Sequence, residues 1–146
     1  MPHSPTPESA ILRAVRLAVG ALPGVVLWRN SVGVARYVGR GGRAGAVPYG
    51  LQRGASDAVG VLSVAIPGIA RPVGVALFIE VKSARGRLTE EQALFRDLVV
   101  RLGAVHLTVR SAEEAVAGVV AARDALEGRA RAAPAGSAPS PDPERP

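Results

Sequence analysis

An apolar run from Val73 to Ile79 ends in Glu80-Val81-Lys82, and a second apolar run, Val105 to Val109, comes after a helix-forming segment. That order constrains the fold most. Thr89-Glu90-Glu91-Gln92 has the form of a capping box. It opens a helix on Leu94, Phe95, Leu98, Val99 and Leu102, which Gly103 closes. Two strands joined by a crossover of this kind run parallel, so the segment predicts a parallel pair with the helix packed on the sheet. Ala58 to Ile66 and Val73 to Lys82, joined through Pro67-Gly68 and Arg71-Pro72, read as a hairpin, and the sheet is expected to be of mixed direction.

Around this unit, Thr6-Pro7-Glu8 reads as a helix start, with Ile11, Leu12, Val15, Val19 and Leu22 at helical spacing up to Pro23-Gly24. Val25 to Arg29 and Val32 to Val38 read as short strands with Asn30-Ser31 as a turn between them. Gly39 to Gly54, rich in Gly and Arg and without periodicity, is expected to be a mobile surface loop. Ser111-Ala112-Glu113-Glu114 is a second capping box and opens a last helix on Ala115, Val116, Val119, Val120 and Leu126. The expected organisation is one α/β domain over residues 1–127 and a disordered Ala/Pro/Ser/Arg-rich tail over 128–146.

Acids are placed unevenly. Residues 1–89 hold ten arginines but three carboxylates, Glu8, Asp57 and Glu80, and the single lysine of the chain, Lys82. Strand alternation puts Glu80 and Lys82 on one face, roughly 7 Å apart along the strand. Helical spacing sets Glu8 at the N-terminal end of the buried stripe of its helix, pointing inward. Arg29, Arg36, Arg40, Arg43 and Arg53 fall in a window without a carboxylate, which suits phosphate; a coding bias toward arginine is the plainer account.

With no cysteine, disulfides, thiolate zinc sites and a cysteine nucleophile are excluded. His3 and His106 stand far apart and suggest no Ser/His/Asp arrangement. No apolar run approaches the roughly 18 residues of a membrane span, and no basic-then-apolar leader opens the sequence, so a soluble, cytoplasmic protein is expected.

Asp57, a hairpin and Glu80-Val81-Lys82, set within an αβββαβ order, resemble the PD-(D/E)XK nuclease superfamily. More narrowly, Gly54-Ala55-Ser56-Asp57, Ile79-Glu80-Val81-Lys82-Ser83, Gly86-Arg87-Leu88-Thr89 and Glu91-Gln92, followed by Leu98 and Gly103, resemble the VRR-NUC family, and the resemblance spans about Thr6 to Gly118. Trp28-Arg29-Asn30 is similar to that family's first strand. Ser56 stands where the superfamily's name has proline, a variable position.

The resemblance implies a restriction-endonuclease-like αβββαβ core, a mixed sheet flanked by helices. It implies Mg2+ or Mn2+ held by Asp57, Glu80 and the backbone carbonyl of Val81, with Glu8 reaching the metal or its water shell. Lys82 would position and polarise the attacking water, and Gln92 would support the site from the second helix. The activity implied is a metal-dependent, structure-selective DNA endonuclease, acting on branched DNA such as a Holliday junction as a homodimer. A monomeric flap-trimming or nicking nuclease, and a non-catalytic DNA-binding scaffold, are the alternatives. Plainer readings of single residues stand beside these roles. Glu80 and Lys82 would serve as a solvated pair, Asp57 as the start of a turn, Glu8 as a first-turn acid facing the helix dipole, and Gln92 as the third residue of its capping box. His106 is read as sitting in or beside a strand rather than as a metal ligand.

Overall fold

Two antiparallel strands and the helical crossover after them form the frame that carries the other elements. In the computed structural model, which describes residues 7–133, α1 (Pro7–Gly20) leads into β1 (Val25–Arg29), β2 (Gly33–Val38), β3 (Ala44–Tyr49), β4 (Ala58–Val64) and β5 (Val73–Val81). Then come α2 (Glu90–Arg101), β6 (Val105–Val109) and α3 (Ala112–Ala132). Four strands form one sheet in the order β1-β4-β5-β6. β1/β4 and β4/β5 are antiparallel and β5/β6 is parallel, so the crossover through α2 is present and the sheet is mixed.

Alternation along β5 sorts its side chains between two layers. Leu77, Ile79 and Val81 face the main core, where Leu12, Val15 and Val19 of α1 and Ala115 and Val119 of α3 close over Leu62, Val64 and Val109. Phe78 and Glu80 face the other way, toward α2, where Phe95 meets Phe78 edge to face with ring centroids 5.2 Å apart. The core is aliphatic. Truncating the fully buried Leu77 to Ala would cost about 2–5 kcal/mol, the usual scale for a cavity at such a site.

Three expectations are corrected. Gly39–Gly54 is not a loop throughout, because β3 lies within it and pairs with β2 as a separate two-stranded ribbon. Its signal was hidden by Gly45, Ala46 and Pro48, poor strand formers that are accommodated because Tyr37 lies across Gly45 and Tyr49 across Gly33. Second, Asn30-Ser31 is a link and not a turn, and the strands on either side of it go to different sheets: β1 joins β4 and β2 joins β3. Third, α3 runs on through Gly128 to Ala132, carried by a helix-forming run of Arg and Ala. The expected Thr6 cap and the remainder of the expected tail lie outside the described residues. No helix among the described residues is long and apolar enough to cross a membrane.

Candidate active site

Continuing the β4/β5 register by one residue beyond Ala58↔Ile79 sets Asp57 opposite Glu80. The spacing of these two carboxylates in sequence is therefore a consequence of hairpin length. Asp57 Oδ2 accepts a hydrogen bond from the Val81 backbone N–H at 2.8 Å. Lys82, just past the end of β5, donates its own N–H to the Val109 carbonyl at 2.9 Å and so continues the pairing with β6. Its ammonium lies 2.8 Å from Glu80 Oε1, and both side chains are buried, at 9 % and 2 % exposure for the whole residues. A solvated surface pair does not describe them.

Gln92 makes two sets of bonds. Its backbone N–H and side-chain oxygen complete the capping box with Thr89 at 3.2 and 3.0 Å, while its Nε2 donates to Glu80 Oε1 at 2.6 Å. The cap fixes the amide's orientation, and the amide steadies the carboxylate. Glu8 arrives from the first turn of α1 and accepts from the Ser83 backbone N–H at 3.0 Å, tying that helix end to the segment after β5. Thus the three carboxylates of residues 1–89 and the one lysine meet around the end of a single strand.

The electrostatics reflect that crowding. Burial pushes the Asp57 carboxyl above its ordinary value, and the charge of Glu8 adds to the push; the Val81 N–H, Lys82 and Arg29 oppose it. Glu80 is likewise raised by burial and by the charge of Asp57, against the hydrogen bond and charge of Lys82. A divalent cation would relieve this repulsion, and hard oxygen donors suit Mg2+ or Mn2+. The protein's own hydrogen bonds engage Oδ2 of Asp57 and Oε1 of Glu80, and the two carboxylates together are the hard donors a cation would take, with the Val81 carbonyl nearby in sequence. Among the described residues no group of three His, Asp or Glu side chains forms a ready ligand set. Glu8 Oε1 is turned to Ser83, and its charge acts on Asp57.

Of the five candidate DNA-binding arginines, Arg29 is close enough to influence Asp57. Arg53 lies 3.4 Å from Glu91 at the start of α2, in an exposed pair that contributes little to stability. Arg36 stands on β2, and Arg40 and Arg43 lie in the turn of the ribbon.

Two residues with a positioning role carry no sequence signal of it. Asn30 donates its backbone N–H to the Asp57 carbonyl at 2.8 Å and its side-chain Nδ2 to the Ser56 carbonyl at 2.9 Å, and its Oδ1 accepts from Leu51 N–H at 3.2 Å. It pins the loop before Asp57 to the root of the ribbon. His106, on β6, is hydrogen-bonded to Ser56 Oγ at 3.0 Å and supports the same loop from the opposite side. Burial holds its ring neutral, with the pKa lowered to about 4. Comparison with known protein families, with curated proteins and with solved structures finds no match to this chain.

Proposed function

We propose that this protein is a metal-dependent endonuclease that hydrolyses phosphodiester bonds in structured DNA. One observation carries the reading: Asp57, Glu80 and Lys82, with Gln92 behind them, converge at a buried strand end where burial alone would disfavour two carboxylates. Buried charge without a use is selected against, because its desolvation is costly. The order α1-β1-β4-β5-α2-β6, with β2–β3 as an insertion, supports a restriction-endonuclease-like core and the VRR-NUC resemblance.

A bound Mg2+ or Mn2+ would supply charge neutralisation at the phosphate and lower the pKa of a water. Asp57 and Glu80 would hold that ion. Lys82, held in place by Glu80, would orient the attacking water and offset negative charge as it develops on the phosphate. Gln92 keeps Glu80 aimed, and Asn30 keeps the Asp57 loop in place. A homodimer would set two such sites across a branched substrate.

The test is cleavage of single-stranded, duplex, flap and four-way DNA with Mg2+, Mn2+ or EDTA. Metal-dependent cutting that ranks branched above linear DNA is expected, lost in Asp57→Asn with DNA binding retained. Cutting in EDTA, or full activity of Asp57→Asn, would overturn the metal assignment. Binding without any cleavage would leave the scaffold reading.

A further inference from the structure

The β2–β3 ribbon contributes nothing to the core. It pairs with no strand of the main sheet, and its large apolar side chains stay exposed: Val34 at 59 %, Tyr37 at 54 %, Val38 at 75 % and Tyr49 at 49 %. An isolated two-stranded ribbon is marginal in water, so one this bare calls for a partner. Charge identifies the partner. Between Ser31 and Gly50 there are three arginines, Arg36, Arg40 and Arg43, and no carboxylate. A second copy laid against the ribbon would bring the same cations and no counter-charge, because a two-fold contact places a patch on itself. A polyanion fits.

Shape narrows the choice. Cross-strand partners share a face, so one face carries Tyr37 over Gly45 and Tyr49 over Gly33, and any side chain at either glycine would strike the ring. The opposite face carries Arg36 against Ala46 and Val38 against Ala44. Small residues opposite large ones keep the ribbon thin. At the tip, Arg40 and Arg43 flank Gly41-Gly42, whose φ angles of 94° and 77° make the sharp return.

We infer that the β2–β3 ribbon is an arm that enters the major groove of B-form DNA beside the cleavage site, an inference that rests on the nuclease reading. The major groove, roughly 12 Å wide, admits a two-stranded ribbon, whereas the major groove of A-form RNA is too narrow for side chains to read. Strands of six residues reach about 20 Å at ~3.4 Å per residue, or about 6 base pairs. Arg40 and Arg43 at the tip meet phosphates. Arg36, alone among Val34, Val38, Ala44, Ala46 and Pro48, meets base edges. Asn30 ties the root of the arm to the Asp57 loop, so a seated arm sets the register of the duplex at the site. The substrate is then a DNA structure with at least about 6 base pairs of duplex on the arm's side of the break.

Binding is measured in EDTA, by fluorescence anisotropy, on DNA stems of 4 to 16 base pairs and on RNA stems of equal length. The parent protein should prefer DNA and gain affinity steeply as the stem passes about 6 base pairs. The double variant Arg40→Ala/Arg43→Ala should bind long DNA stems at least tenfold more weakly, with a log-log salt slope lower by roughly 1.8, about 0.9 per lost contact. Netropsin, a minor-groove ligand, should leave binding unchanged. An unchanged affinity and slope, equal binding of RNA, or displacement by netropsin would overturn the arm. So would a dimer in sedimentation that Val34→Asp/Val38→Asp converts to monomer, since the ribbon would then be a contact between copies. Because no step needs metal or cleavage, a protein that cuts without using the arm refutes this inference alone. One that binds through the arm but never cuts refutes the nuclease alone.

Discussion

Lys82 is the one lysine in a chain that otherwise uses arginine, and its ammonium sits 2.8 Å from Glu80 with little access to solvent. A compact ammonium fits between the carboxylate and a water; a planar guanidinium would project past that point and holds its protons too tightly to exchange them near neutral pH. Lys82→Arg is therefore expected to lower the cleavage rate roughly 10²- to 10⁴-fold, the scale for losing a positioned acid-base group. Circular dichroism and a Mg2+ titration should still report a folded, metal-competent protein. Near-parental cleavage by such a protein would remove Lys82 from the chemistry.

At the scale of elements, α2 is both a supporting helix and part of the site, because the same amide of Gln92 closes its cap and steadies Glu80. Gln92→Glu separates the two roles. Glutamate serves equally well at the third position of a capping box, yet here it would set a carboxylate against Glu80 Oε1, to which Nε2 now donates at 2.6 Å. Its melting temperature in EDTA should fall as pH rises from 5 to 8, and Mg2+ should restore part of the loss. Thr89→Ala, by contrast, should cost about 1 kcal/mol with cleavage close to parental. If both variants lost stability and activity alike, Gln92 would be a cap and no more. The helix was legible in the sequence because capping and apolar spacing are local signals; so was the hairpin, whose register places Asp57 opposite Glu80. Of the ribbon, β2 was legible as the strand Val32 to Val38, and β3 was not. β3 is held through cross-strand Tyr-on-Gly contacts that no local window shows, and Gly45, Ala46 and Pro48 argue against a strand one by one. Asn30 read as a turn residue for a similar reason, since its partners, Leu51, Ser56 and Asp57, are distant in sequence.

For the whole molecule, the site should appear as two opposed contributions to stability against pH. His106 has its pKa lowered from 6.5 to about 4, so as pH falls through 6.5 the unfolded chain takes up a proton that the folded one refuses. Its contribution is present above 6.5 and lost as pH falls to about 4. Asp57 and Glu80 are raised above 3.8 and 4.5, and the sign reverses: their contribution is present below those values and lost as pH rises through the folded ones. In EDTA, His106→Gln should flatten the acid limb between pH 6.5 and about 4, and Asp57→Asn should raise the melting temperature near neutrality. On the proposed reading Mg2+ would bind the ionised carboxylates and so reverse the second contribution, stabilising by about 2.7 kcal/mol at a hundredfold excess over its Kd. That gain should be large at about pH 8, small at about pH 4.5 and absent in Asp57→Asn at both. Melting curves across this range, with and without Mg2+, read all three together. A metal gain independent of pH, or intact in Asp57→Asn, would place any bound ion elsewhere on the molecule and take the metal from the strand end that Asp57 and Glu80 share.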